Sequence, residues 1–299
     1  MQKPDWNDLR IFLAVARTGQ LARAGALLGV NGTTVARRVR RLESQLGGIL
    51  FEQTREGQVL TEAGELLLLH VEAMAGAAGE IETVGGPVTS ALTGTLRVSV
   101  AEGFGSWFLA RHVPEFVAAN PNLTLDLVAN SGFLSVTKRE ADIAVMLSRP
   151  RTGALISGKL SDYTLQLFAT REYLACRGIP RSSSDLADGH RFIGYIPDLI
   201  YAPELKYLDE VQPGLRPEIR SSSINAQYHL VASGSGIAVL PSFIGKVDPQ
   251  LQVLLPDFRI VRSFWLVTHK DTHQLARVRA GREWIVDMAR RHRSALVAE

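Results

Sequence analysis

Between Leu9 and Leu46 apolar residues recur at helical spacing, broken by small, turn-forming residues. Leu9, Phe12, Leu13 and Ala16 fall at i, i+3, i+4 and i+7, so a first helix buries one face and stops near Gly19. A short Ala/Leu-rich helix follows, then a turn at Gly29-Val30-Asn31. In the next helix Val35, Val39, Leu42 and Leu46 form one stripe, while Thr33, Arg37, Arg40 and Arg41 project from the opposite side. Ile49-Leu50-Phe51 and Val59-Leu60 read as two short strands joined through Thr54-Arg55-Glu56-Gly57, a wing tipped by Arg55. Thr61 caps a long helix that ends near Gly85-Gly86-Pro87 and measures ~36 Å. Along it Leu67, Val71, Met74, Ala78 and Ile81 repeat with the 4-3-4-3 spacing of a coiled-coil seam. The competing arrangement is a helix lying on its own domain.

Beyond Gly94 the pattern becomes α/β. Leu96, Val98 and Val100 alternate with Arg97 and Ser99, a helix follows around Phe108, Val113, Phe116 and Val117, and after Asn120-Pro121 comes a strand over Leu123 to Ala129. Asp142 to Leu147, Tyr163 to Ala169, Gly236 to Leu240 and Phe264 to Thr268 read as further strands, with helices around Asn225 to Ala232 and Leu275 to Arg291. Two mostly parallel sheets are expected, with the chain passing between them near Leu160 to Leu165 and back near Arg262 to Leu266. A ligand of such a fold binds in the cleft between lobes.

The net charge of +3 conceals an asymmetry. Residues 1 to 60 carry nine basic side chains against five acidic ones, so the remainder is slightly acidic. One end of the chain suits a polyanion. Arg37, Arg38, Arg40 and Arg41 have no acid among them from Asn31 to Leu42. Asn31 is a good N-cap, and Thr33 and Thr34 in the first turn can approach phosphates and base edges closely. Arg37, one turn on, suits a guanine or a phosphate. A solvated basic face is the plainer alternative. Cys176 is the single cysteine, which leaves no intramolecular disulfide and suits a reducing cytoplasm. No secretory signal is expected at Met1 to Leu9, and Leu66 to Ala78, the longest apolar run, is broken by His70 and Glu72, so no membrane association is expected.

These residues resemble the LysR-type transcriptional regulators over nearly the whole length. The match is densest at Leu9-Arg10-Ile11-Phe12, Gly19, Ala24, Leu28, Val30, Val35, Arg37, Val39, Arg41-Leu42-Glu43, Leu46-Gly47, Leu50-Phe51 and Leu60-Thr61-Glu62-Ala63-Gly64. It continues through Gly94-Thr95-Leu96-Arg97-Val98, Ala141-Asp142-Ile143-Ala144, Tyr173-Leu174 and Ala232 to Pro241. The resemblance implies a winged helix-turn-helix (1–60), a linker and dimerisation helix (61–90) and a periplasmic-binding-protein-like, two-lobed effector domain (91–299). Lobe I would take about 91–162 and 266–299, and lobe II 163–265. DNA-contacting positions carried over are Asn31, Thr33, Thr34, Arg37, Arg38, Arg41 and Arg55. Effector-contacting positions are Glu102, Gly103, Phe104, Ser106, Asn130, Ser131, Tyr195, Ile196, Pro197, Ser221, Ser222 and Ser223, with Phe104, Trp107, Phe133, Tyr195 and Trp265 as candidate pocket aromatics. Implied partners are operator DNA, a small-molecule effector, further copies of the chain as a dimer of dimers, and RNA polymerase; no cofactor or metal is implied.

Three departures from the family pattern bear on specificity. Asn31-Gly32-Thr33-Thr34 stands where Ser-Gln-Ser-Ala is usual, which removes an amide that could read adenine. Gln53 replaces a common wing Arg, and Met146 replaces a frequent cleft Arg, for which Arg149 is a nearby substitute. The strongest rival class, an enzyme, lacks support. Gly234-Ser235-Gly236 joins a helix to a strand, the reverse of a nucleophile elbow or a dinucleotide turn, and His269, Asp271 and His273 sit in a polar turn without a further ligand. A ligand-free architectural DNA binder would have little use for so large a C-terminal part.

Overall fold

A computed structural model describes residues 4–54, 57–81, 92–130, 132, 136, 140–150, 154–187 and 189–297. Arg55, Ser131, Phe133, the side chain of Ile81 and the end of the linker therefore lie outside the described residues. The chain divides into two units, Met1–Ser90 and Ala91–Glu299.

The first unit begins with α1 (Trp6–Thr18), α2 (Leu21–Leu28) and α3 (Gly32–Leu46), each closed by a glycine with positive φ: Gly19, Gly29 and Gly47. Left-handed glycine ends let each helix stop within one residue. The side chain of Asp5 caps α1 and that of Asn31 caps α3. Phe12, Val15, Val35 and Leu42 are fully buried, and the Phe12 and Phe51 rings lie 5.2 Å apart. Leu46, expected on the buried stripe, is instead exposed. Gly25 holds the angle between α2 and α3, since a Cβ there would fall 2.6 Å from the Val30 carbonyl oxygen. The wing pairs β1 (Phe51–Gln53) with β2 (Gln58–Leu60) antiparallel, Phe51 opposite Leu60. Thr61 then opens α4 (Glu62–Ile81), its hydroxyl accepting from the Gly64 N–H at 3.1 Å and donating to the Ile49 carbonyl at 2.6 Å.

The coiled-coil reading of α4 requires correction. Val71 is fully buried in the core of its own unit, and Leu67, Leu68 and Ala75 pack against that core. Among the described side chains in the middle of the helix, Glu65, Leu66, His70, Glu72 and Met74 are exposed. Arg17 of α1 also reaches Glu72 of α4 at 3.7 Å. Leu67 and Val71 thus pack on the domain itself, while Leu66 and Met74 stay exposed.

In the second unit β3 (Gly94–Ala101) is followed by tight helical turns over 102–112 and by α5 (Val113–Ala119), β4 (Leu123–Asn130) and β5 (Ile143–Met146). Next come the long β6 (Leu155–Thr170), α6 (Arg171–Arg177), β7 (Phe192–Gly194), α7 (Leu208–Val211), β8 (Ile219–Arg220), α8 (Ile224–Ala232) and β9 (Ile237–Pro241). The chain closes with α9 (Ser242–Gly245), β10 (Leu251–Leu254), β11 (Ile260–His269), α10 (Ala276–Arg291) and α11 (Arg293–Leu296). Two separate, mostly parallel sheets were expected. Among the described residues the strands instead form one continuous path, β4-β3-β5-β11-β6-β9-β7-β8, with β10 also on β6. Parallel pairing occurs at both ends, and β6 and β11 run antiparallel through the middle from Ile260 opposite Leu165 to His269 opposite Leu155. A register shift interrupts this pairing between Phe264 and Trp265.

Candidate nucleic-acid interface and effector pocket

On α3 the Asn31 Oδ1 accepts both the Thr34 N–H and the Thr33 hydroxyl, each at 2.8 Å. This fixes the first turn and aims two small side chains outward beside the positive helix end. Arg37 and Arg40 are exposed and pair with no carboxylate among the described residues. Arg38 and Arg41 depart from the sequence expectation. Arg41 Nε lies 2.9 Å from Asp8 Oδ2 and its Nη2 3.6 Å from Asp5, while Arg38 Nη1 lies 3.4 Å from the other Asp8 oxygen. Asp8 is fully buried on α1. These two arginines tie α3 to α1 while keeping exposed surface of their own, and Thr33, Arg37 and Arg40 are outward without such a tie. Glu43 braces the wing in the same manner, accepting the Leu50 N–H at 2.8 Å. Sequence reasoning missed Asp8. Its signal was a carboxylate next to the apolar stripe of α1 with an arginine excess on a neighbouring helix.

The second unit encloses a pocket where its lobes meet. From lobe I come Glu102, Gly103, Phe104 and Leu147, and from lobe II Tyr195, Tyr201, Tyr207, Ser222, Ile224 and Phe243, with Tyr163 and Phe264 on the crossing strands. The cavity measures about 40 Å³. The Tyr163 and Phe264 rings stack at 4.2 Å, with Phe104 at 4.6 Å from Phe264. Burial pushes the hydroxyls of Tyr163, Tyr195 and Tyr207 above the ordinary tyrosine range and that of Tyr201 up to about 12. All four therefore stay protonated near neutrality; Tyr207 donates to the Val239 carbonyl at 3.4 Å, and the Tyr163 and Tyr195 hydroxyls can serve as donors in the pocket.

Of the carried-over effector positions, Glu102, Gly103, Phe104, Tyr195 and Ser222 line this pocket. Ser223 and Ser106 stand at its edge. Ser223 donates to Glu102 at 2.8 Å, and Ser106 accepts from Asn225 at 3.4 Å. Asn130, Ile196, Pro197 and Ser221 do not line it. Asn130 turns back to accept the Gly132 N–H, and Ser221 accepts the Ser223 N–H, so both hold their own loops. Trp107 sits beside α8, donating to Asn225 at 2.7 Å. Trp265 lies under Arg149, whose guanidinium carbon is 5.4 Å from the ring centroid, so that arginine is not a pocket cation. Missed by sequence reasoning as pocket residues were Tyr163, which was read only as the start of a strand, and Tyr201 and Tyr207, which stand in segments without a periodic signal. Gly105 lets the turn after β3 settle on the sheet, because a Cβ there would meet Ala129 at 2.5 Å and Val100 at 2.6 Å.

Among the described residues no cluster of three or more His, Cys, Asp or Glu could hold a metal ion, and no helix is long and apolar enough to cross a membrane. The family model for a bacterial regulatory helix-turn-helix protein of the lysR family matches residues 6–65, and that for a LysR substrate binding domain matches residues 89–290. The Mau operon transcriptional activator of Paracoccus denitrificans is 28% identical over 95% of this chain and 96% of its own. The HTH-type transcriptional regulator CrgA of Neisseria meningitidis is 29% identical over 85% of each chain. A solved structure of CrgA, a LysR-type transcriptional regulator, covers 95% of this chain and 99% of its own at a TM-score of 0.58. Each unit is matched by its own model and the relatives align almost end to end: the chain belongs to the LysR family of transcriptional regulators, with a DNA-binding helix-turn-helix and an effector-binding domain.

Proposed function

We propose that α3 reads the major groove through Thr33, Thr34 and Arg37, with Asn31 fixing the first turn, Arg40 and the wing residue Arg55 on backbone phosphates, and Arg38 and Arg41 holding the helix at its docking angle. The carrying observation is the division of α3 into a buried Val35/Val39/Leu42 stripe and an exposed face where Arg37 has no carboxylate partner among the described residues. The effector sits in the pocket between the lobes, touching Phe104 and Tyr195 and approached by Ser222. Copies of the chain pair through the outward face of α4 and assemble further as a dimer of dimers, which doubles the half-sites an operator can offer. RNA polymerase is the further partner in this reading, whether target genes are activated or repressed, and a DNA-binding regulator of this kind would act in the cytoplasm.

An operator titration over a salt series tests the reading helix. Arg37→Ala should lose ~1–3 kcal/mol of specific binding if the side chain reads a base, or weaken all sequences alike with a shallower salt slope if it grips a phosphate. Unchanged affinity at every salt concentration would remove α3 from the interface.

A further inference from the structure

The N-terminus of α8 faces the effector pocket, and a group of the protein itself already occupies it. Glu102, just past the end of β3, places Oε2 3.0 Å from the Ile224 N–H. Its Oε1 accepts from the Ser223 hydroxyl at 2.8 Å and from the Asn225 amide at 3.1 Å. A helix start with free N–H groups is where an anionic ligand would settle. Here the carboxylate is internal and comes from the opposite lobe. The rest of the wall offers an incoming anion hydroxyl donors but no cation. Of the residues lining the pocket, Glu102 is the one with a formal charge, and the others are aromatic, aliphatic, small or a single serine. Arg149, the substitute cation expected from sequence, lies on Trp265 instead.

We propose that Glu102 serves as a built-in anionic ligand at α8, and that the effector is accordingly an uncharged molecule carrying an apolar ring. This rests on reading the pocket as the effector seat. Two properties of the site select the class. A second anion would meet a fixed carboxylate of like sign and no compensating cation, in surroundings where such repulsion is poorly screened. A cation gains little from a carboxylate that already accepts three hydrogen bonds. A neutral ring can pack on Phe104, Tyr163 and Phe264, and its polar substituent can accept from tyrosine hydroxyls kept protonated by burial. The cavity of about 40 Å³ holds only a few waters, so a ring enters as the lobes part around the Glu102 tie. Glu102 thereby links ligand class to lobe arrangement: whatever spreads the pocket also loosens the contact between β3 and α8.

Three probes of one shape and different charge separate the possibilities on the full-length protein: benzyl alcohol, benzoate and benzylammonium, read by thermal shift and by tryptophan fluorescence, which Trp107 reports from beside α8. In the parent protein benzyl alcohol should raise Tm and benzoate should not. Glu102→Ala frees the N–H groups of α8, so its affinity for benzoate should rise at least tenfold. Glu102→Gln, which keeps the shape and loses the charge, should show a smaller gain and guards against misfolding of the alanine variant. Benzoate stabilising the parent protein as well as benzyl alcohol does, benzylammonium binding it best, or no gain of benzoate in either variant would overturn the proposal while leaving the pocket as the ligand seat. Silence of all three probes in the parent and both variants would overturn the pocket reading itself.

Discussion

Arg37 and Arg41 are one helical turn apart with the same side chain, and their surroundings give them different work. Arg37 points to solvent, whereas Arg41 is drawn to Asp8, a carboxylate with no exposed surface. Burying a carboxylate costs much unless it is paired, so Asp8 and its two arginines form a unit whose loss is felt in stability. Arg41→Ala should lower the unfolding free energy of the first unit by ~1–3 kcal/mol, the cost of leaving a buried acceptor short of a partner. Arg37→Ala should leave stability within ~0.5 kcal/mol of the parent protein, as an exposed substitution does. Urea unfolding of both variants checks this, and equal stabilities would show that the Asp8 contact does not hold α3. The N-cap at Asn31 was legible in the sequence because capping is a local rule. The Asp8 contact was not, because it joins residues about thirty positions apart through packing of α1 on α3.

At the scale of elements, periodicity located α1, α3, α4, α8 and α10 and misjudged what α4 packs against. A 4-3-4-3 spacing in α4 states which residues share a face and not what covers that face. Here the domain's own core takes Leu67 and Val71, leaving Leu66, His70 and Met74 outward. Met74→Asp should therefore leave the fold of the first unit intact, since the side chain is exposed. In a paired assembly it would bury an uncompensated charge, at several kcal/mol. Sedimentation of the variant should show a smaller species with normal circular dichroism. A variant that sediments like the parent protein would place pairing elsewhere. The strands β6 and β11 were read too short for a related reason. Leu155 to Asp162 alternates only weakly, with Gly158, Lys159, Ser161 and Asp162 at exposed or half-buried positions, so the signal begins at Tyr163, where the strand enters the core. The candidate pocket was half legible: the segments at Glu102 and Ser222 came from the resemblance, and the tyrosines from the topology that folds Tyr163, Tyr201 and Tyr207 together.

For the whole molecule, acid is a sensitive variable. Burial holds the imidazoles of His112, His190 and His273 below their ordinary pKa of 6.5, reinforced by His292 beside His112, Arg177 near His190 and Arg282 beside His273. Each is more readily protonated when unfolded than when folded, so stability is present above pH 6.5 and declines as pH falls through the lowered native values. The second unit should lose Tm between pH 7 and pH 5.5, above the main carboxylate range, and replacing the three histidines by glutamine should flatten that slope; a flat profile in the parent protein would contradict it. Recognition of DNA through α3 by a paired assembly can be read from a DNase footprint on the DNA flanking the gene for this chain, run with the parent protein and Arg37→Ala. Protection of two dyad-related half-sites about 10 base pairs, or a multiple, apart is expected, lost or much weakened in the variant. No protection by the parent protein, or an identical footprint from the variant, would contradict it.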